Sequence, residues 1–254
     1  MKPFTALVLA GSRSEPDALS AYVGVSHKGL IELGGETLLA RVVGALDRAG
    51  AAHIAVSASD PAIIAALGRL ETAARLEALP ASASPSLSVG QGARALGLPV
   101  LVTTVDHALL QPEWVTRFLA DIPADADVAA LLAPEAAVRS AAPDTIRSFM
   151  NFRDGRYSGC NLFYLRNEQA LAVIDLWRQV EAHRKQPWKI AALLGPGMLV
   201  SYLLGRLTLD DAVRRLGRKA GVVAAAVRTP YGLAAVDVDK PADLDLVRRL
   251  VEGD

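Results

Sequence analysis

Apolar residues alternate along this chain between unbroken short runs and runs spaced as on a helix face. Residues 5–10 (TALVLA) form a continuous apolar run stopped by Gly11, the pattern of a strand buried on both faces of a sheet. A polar, glycine-bearing connection spans 11–35, and then apolar positions recur at helical spacing over 36–49 (ETLLARVVGALDRA). Connections this long inside compact domains usually serve function or motion. The rhythm continues with a strand at 53–57, a helix at 61–70 capped by Asp60, and a short strand at 75–79. A Ser-rich segment, 82–88 (SASPSLS), leads into a helix ending near residue 96, and 99–105 (PVLVTTV) repeats the buried-strand pattern up to Asp106. A helix after Pro112 and a strand at 127–132 close the first half.

The second half changes character. Residues 145–165 read as extended structure around an Asp154-Gly155 turn, a hairpin signal that adds an antiparallel element. Helices are expected at 168–184, from Lys189 onward, and at 209–216 with Thr208 as cap, followed by strands at 222–227 and 233–238 and a helix at 241–251 opened by Pro241. Neither an internal repeat nor a Gly/Ser/Pro linker interrupts this order. The expectation is one α/β domain over 1–254: a mostly parallel, Rossmann-like sheet with helices on both faces, an antiparallel element, and a helical insertion at 168–221. Ligands of such sheets sit at the carboxyl ends of the strands.

Composition narrows the function classes. Lys plus Arg and Asp plus Glu number 27 each, so no global field attracts nucleic acid, and an anionic ligand must be held by local groups. Cys160 is the single cysteine; an internal disulfide and a Cys-rich metal site are excluded, and a reducing cytoplasm is the expected setting. The N-terminus has no signal-peptide pattern. The apolar stretch 188–207 is broken by Lys189, Gly195, Pro196, Gly197 and Arg206, too soon for a spanning helix of about 20 apolar residues. A peripheral membrane contact stays compatible with it.

Gly11 after the first strand, with Arg13 and Lys28 in the same loop, could hold a polyphosphate: glycine admits close approach, and free backbone N–H groups and the two cations balance the charge. The plainer alternative is a surface loop with two solvated basic residues. Together LVLAGSR and HKGLIELGGETLLARVV resemble the signature of MobA-like nucleotidyltransferases, relatives of the molybdenum-cofactor guanylyl- and cytidylyltransferases. That resemblance implies a GT-A-like nucleotidyltransferase sheet and a nucleoside triphosphate touched by Leu9, Ala10, Gly11, Ser12, Arg13 and Lys28. The chain departs from the family pattern by Ser12 in place of a second glycine, His27 in place of proline, and a longer loop before Lys28. The Ser-rich connection resembles the segment that contacts base and ribose, so Ser84, Ser86 and Gly90 join the nucleotide-binding set; an ordinary Ser-capped helix would look the same.

Asp106, at a strand end, matches the aspartate by which the family binds Mg2+, and Asp237-Val238-Asp239-Lys240-Pro241-Ala242-Asp243-Leu244 resembles its closing acidic motif. On an extended strand Asp237 and Asp239 would share a face; Asp237 is the preferred second metal ligand, with Asp239 capping the last helix or holding a metal-bound water. Ser158-Gly159-Cys160-Asn161-Leu162-Phe163 resembles the acceptor strand, which implies contacts from Gly159 and Asn161; Cys160 reads as packing. His53, His107 and His183 show no metal-ligand spacing. Trp177, Trp188, Lys185 and Lys189 are open to lining a lipid-like acceptor site or resting on a bilayer, against the plainer reading of a helical cap or dimer contact, so the chain is expected as monomer or homodimer.

The implied reaction is Mg2+-dependent transfer of a nucleotidyl group from a nucleoside triphosphate to a phosphorylated small-molecule or lipid-like acceptor, with Arg13, Lys28 and Asp106 as the catalytic groups. A GT-A-type glycosyltransferase using a nucleotide-sugar would be built on the same sheet, but position 108 is Ala where an Asp-x-Asp pair would need an acid. A non-catalytic nucleotide-binding protein is the rival of a different class. Dehydrogenase and P-loop readings fail for want of G-x-G-x-x-G and G-x-x-x-x-G-K-[ST].

Overall fold

The computed structural model describes residues 3–11, 18–183 and 195–253. Its strands are β1 (Phe4–Leu9), β2 (Glu32–Leu33), β3 (Glu36–Thr37), β4 (Ala51–Ser57), β5 (Arg75–Leu79), β6 (Val100–Thr104), β7 (Val128–Pro134), β8 (Met150–Phe152), β9 (Gly155–Leu165) and β10 (Ala224–Arg228). The described helices are α1 (Ala18–Val23), α2 (Leu38–Arg48), α3 (Pro61–Leu67), α4 (Pro85–Leu96), α5 (Pro112–Asp121), α6 (Glu135–Ala141), α7 (Ala172–Ala182), α8 (Pro196–Leu203), α9 (Leu209–Ala220) and α10 (Pro241–Glu252).

The main sheet runs β10-β7-β9-β6-β1-β4-β5, with β8 paired to β9. β5, β4, β1 and β6 are mutually parallel, β9 is antiparallel to both β6 and β7, and β7 and β10 are parallel to each other. The long apolar runs therefore become central strands, and the 145–165 segment supplies the antiparallel element as a hairpin in which Phe152 faces Gly155. Alternation along β1 shows why helices cover both faces. Ala6 and Val8 enter the larger core with Leu39, Val42, Phe118 and Val247, while Leu7 enters a second core with Val89, Ala93 and Ile174 of α4 and α7.

Local signals set many boundaries. Asp60 accepts from Ala62 N at 2.8 Å, and Thr208 accepts from Asp211 N at 3.2 Å, so both expected caps form. Thr37 caps α2 through Ala40 N at 3.1 Å, which starts that helix two residues after Glu36 and leaves 36–37 in a small hairpin with β2. One expectation is corrected. Residues 233–238 form no strand but a 3-10 turn, Gly232–Ala235, and an irregular run, because Ala234, Ala235 and Val236 bury against the core without a neighbouring strand to pair with. Of the readings left open for Trp177, the structure supports the plainer packing one: its ring lies against Phe163 at 5.8 Å, at the edge of the second core. Within 168–221 the structure describes a 3-10 turn, α7, α8 and α9, while Lys185, Trp188, Lys189 and the start of the helix expected from Lys189 lie outside the described residues. Among the described residues no helix is long and apolar enough to cross a membrane.

Candidate active site

Three segments meet where β1 and β6 end. Val105 N donates to Leu9 O at 3.0 Å, which joins the ends of the two parallel strands and holds Asp106 one residue beyond. Val238 N in turn donates to Asp106 O at 3.0 Å, so the closing acidic motif is tied by its backbone to the end of β6. Lys28 arrives from the long loop on a 3-10 turn, Lys28–Leu30, whose cap is the His27 ring, accepting from Gly29 N at 2.9 Å. That turn packs tightly: a Cβ on Gly29 would stand 2.9 Å from both Ile63 Cδ1 and Val105 Cγ2. His27 thus does a backbone job in which proline, lacking a side-chain acceptor, could not replace it.

Lys28 Nζ donates to Asp106 Oδ2 and, at 3.1 Å, to Asp239 Oδ1. Two carboxylates from distant parts of the chain therefore share one cation, and their oxygens lie no more than two hydrogen-bond lengths apart, about 6 Å at most. Asp106 is the deep partner, its side chain 10% exposed, and Asp239 the open one at 55%. Burial disfavours the Lys28 ammonium, but Asp106 and Asp239 more than offset that and hold its pKa above the ordinary lysine value. Burial would likewise raise the Asp106 carboxyl; Lys28, and the Thr104 hydroxyl that donates to Oδ1, bring it below the usual carboxylate range. Both groups are charged at neutral pH.

Asp237 and Asp239 are held by different partners, Asp239 by Lys28 and Asp237 by others. Asp237 is held by Arg147, which donates to its carboxylate and to its backbone oxygen, and by Asn161 Nδ2 at 2.8 Å. Asn161 sits at φ 47°, in the left-handed region, where the β7–β9 register shifts between Ala130 and Leu132. A bulge there re-aims the side chain out of the strand's alternation. Asp239, not the preferred Asp237, is the carboxylate that shares Lys28 with Asp106. Nor does Asp239 cap α10, because Asp243 accepts from Asp239 N at 3.2 Å and Lys240 N at 3.0 Å instead.

A cleft of about 330 Å³ opens beside this cluster, lined among others by Thr145, Arg147, Gly159, Asp237, Asp239 and Lys240. Gly159 leaves open space where a Cβ would stand. Arg147 escaped the sequence reading: it sits in an aperiodic stretch between α6 and β8, and nothing local announces that it answers an aspartate 90 positions on.

The remaining expected site residues divide. Ser12 and Arg13 lie outside the described residues. Ala10 N is committed to Ser57 O at 2.9 Å, and Gly11 is neither at positive φ nor sterically required, since a Cβ would meet only Ala81 Cβ at an ordinary 3.4 Å. Ser84 caps α4 through Leu87 N at 3.4 Å, Ser86 Oγ and N donate to Glu181 at 2.5 and 3.3 Å, and a Cβ on Gly90 would press on Ile174 at 3.3 Å. In this structure Ser86 and Gly90 are engaged by α7 rather than by the Lys28 cluster.

Two buried groups near the cluster are inert. Burial pushes the Cys160 thiol up to about 12, far from a thiolate at neutral pH. His107 is 1% exposed, and burial pushes its imidazole down to about 4. Unfolding frees it to bind a proton below about 6.5, so between that value and 4 the unfolded chain holds one proton more and stability rises with pH. Acidification across this window should cost about 3 kcal/mol through His107 alone. Thermal midpoints of wild type and His107→Asn measured from pH 7 to 4 should converge on acidification; parallel curves would reject this origin.

Comparisons with known proteins fit this architecture. The sheet is covered by helices on both faces, and Asp106 and Lys28 meet at the carboxyl edge of its parallel strands. The model of the MobA-like NTP transferase domain matches residues 6–139. A hypothetical transferase from Thermus thermophilus is 32% identical and superposes with a TM-score of 0.82 over 96% of this chain and 100% of that one. CMP:2-keto-3-deoxy-manno-octonic acid synthetase, solved with CTP, shares the fold at 16% identity and a TM-score of 0.59, covering 99% of each chain. The 4-diphosphocytidyl-2C-methyl-D-erythritol synthase of Anaerococcus prevotii does so at 14% and 0.59, over 99% of this chain and 96% of that one. No curated protein matches the sequence. The chain belongs to the MobA-like NTP transferase domain family and is a nucleotidyltransferase.

Proposed function

We propose that the chain transfers a nucleoside monophosphate group from a nucleoside triphosphate to a phosphorylated acceptor, in a Mg2+-dependent reaction that releases pyrophosphate. The observation that carries this reading is the meeting of Asp106 and Asp239 on the Lys28 ammonium at the carboxyl end of β6. Among the described residues no three or more metal-type side chains gather, yet the pair fits Mg2+, which binds through one or two carboxylates plus substrate phosphates and keeps several waters. Asp106 and Asp239 would hold the ion. When bound it neutralises phosphate charge and polarises the α-phosphoryl group.

The protein's own part is positioning and charge. Lys28, which bridges the two carboxylates, would turn toward the β- and γ-phosphates, and Arg13 of the same loop would act with it. An acceptor phosphate oxygen attacks the α-phosphorus in line; the bond to the bridging α–β oxygen breaks, and its electron pair leaves with pyrophosphate. The acceptor oxygen is already ionised, so no protein base is required. The cleft beside Asp239 suits the acceptor: Gly159 leaves room, Lys240 can meet its phosphate, and Asn161 and Arg147 position Asp237 along the wall. The Ser84–Ser86 end of α4 would meet the nucleotide only after Glu181 releases Ser86. A single buried cysteine suits a cytoplasmic setting.

The test is pyrophosphate release from each of the four triphosphates against a panel of phosphorylated sugars, polyols and lipid head groups, with Mg2+ or with EDTA. Release that needs both an acceptor and the metal is expected. Turnover undiminished in EDTA, or none with any pair, would overturn the assignment.

A further inference from the structure

We infer that α8 and the basic stripe of α9 form a docking face for an anionic lipid bilayer. Leu199, Val200, Leu203 and Leu204 fall at i, i+1, i+4 and i+5, one side of a helix, and are 36, 53, 72 and 59% exposed. The opposite side is fixed to the protein. Tyr202 stands edge-on to Phe152 at 5.9 Å and accepts from Asn151 N at 3.4 Å, and Ser201 Oγ accepts from Arg215 Nη1 at 3.5 Å. The helix is therefore held with its aliphatic side chains outward, and a contiguous exposed patch of this kind marks a surface that something covers.

Charge names the cover. α9 carries Arg214, Arg215, Arg218 and Lys219, all exposed, at the same i, i+1, i+4, i+5 spacing, and Arg206 is exposed in the connection between the helices. The Arg215–Ser201 contact sets this cationic stripe against α8. Of the acids at the start of α9, Asp210 is bound by Arg228 at 3.0 Å and Asp211 by Arg214 at 3.2 Å, which leaves the other cations of the stripe to dominate the field. Aliphatic side chains beside guanidinium and ammonium groups match the acyl boundary and phosphates of an anionic leaflet. A second copy is disfavoured, because an isologous contact through the leucines would set one basic rim against the other. The docking is independent of which acceptor the active site uses.

Co-sedimentation with vesicles of phosphatidylcholine, with and without phosphatidylglycerol, at low and high salt tests this. The full chain should sediment with the anionic vesicles only, and less as salt rises. Leu203→Asp/Leu204→Asp should abolish binding, and Arg218→Ala/Lys219→Ala should weaken it at least about tenfold, both with the thermal midpoint of the wild type. Absence of binding to anionic vesicles at low salt, full binding by the leucine double variant, or a wild-type dimer that this variant turns into a monomer would each overturn the inference; the last would assign the face to a second copy.

Discussion

Asp106→Asn should lower turnover at saturating triphosphate by at least about 10³-fold, roughly 4 kcal/mol of transition-state stabilisation, while the protein stays folded. The substitution keeps size and shape and leaves the backbone oxygen that accepts from Val238 N. Lys28 keeps Asp239 at 3.1 Å, so its part-buried ammonium is not stranded. The stability cost should be about 1–3 kcal/mol, that of one lost charged hydrogen-bond partner. Activity and stability therefore separate. Pyrophosphate release and a denaturation curve on the same preparation read both, and turnover within about tenfold of wild type in a folded protein would remove Asp106 from the chemistry.

Gly232→Ala should do the opposite, costing stability first. A Cβ there would stand 2.0 Å from Ala137 O, 2.4 Å from Ala137 C and 2.7 Å from Val138 N. All three are backbone atoms of α6, so no rotamer change relieves the overlap, and either the 3-10 turn or the helix must move. Overpacking against backbone should cost about 3 kcal/mol, a fall in thermal midpoint on the order of 6–12 °C for a chain of this size. Activity should drop with it, because Gly232–Ala235 leads directly to Asp237 and Asp239. Gly159→Ala is the contrast: nothing lies within 4 Å of its added Cβ, so stability should hold while acceptor KM rises. Equal midpoints for Gly232→Ala and wild type would show that α6 yields where its packing says it cannot.

The parts of the fold visible in sequence are those fixed by local rules. β1 and β6 were legible because strands buried on both faces read as unbroken apolar runs, and Asp60 and Thr208 because a cap is a single residue's chemistry. The hairpin at 150–165 followed from Asp154 and Gly155. Residues 233–238 misled because burial without a ladder partner has the same composition as burial with one; only the absence of a neighbouring strand distinguishes them. The site divided along the same line. Asp106 and Lys28 could be placed from strand ends and loop position, but that Asp239 rather than Asp237 meets Lys28 goes with Arg147 and the Asn161 bulge, both of which act across long stretches of chain. Ser86 offered no hint of Glu181, 95 positions away.

Mn2+ binding, followed by paramagnetic resonance in the presence of a non-hydrolysable triphosphate, tests the shared-cation geometry most directly. Asp106→Asn and Asp239→Asn should each weaken the bound-Mn2+ signal at least about tenfold, whereas Asp237→Asn, which alters a carboxylate already satisfied by Arg147 and Asn161, should leave it near wild type. Loss of the signal in Asp237→Asn with retention in Asp239→Asn would contradict the arrangement at its centre.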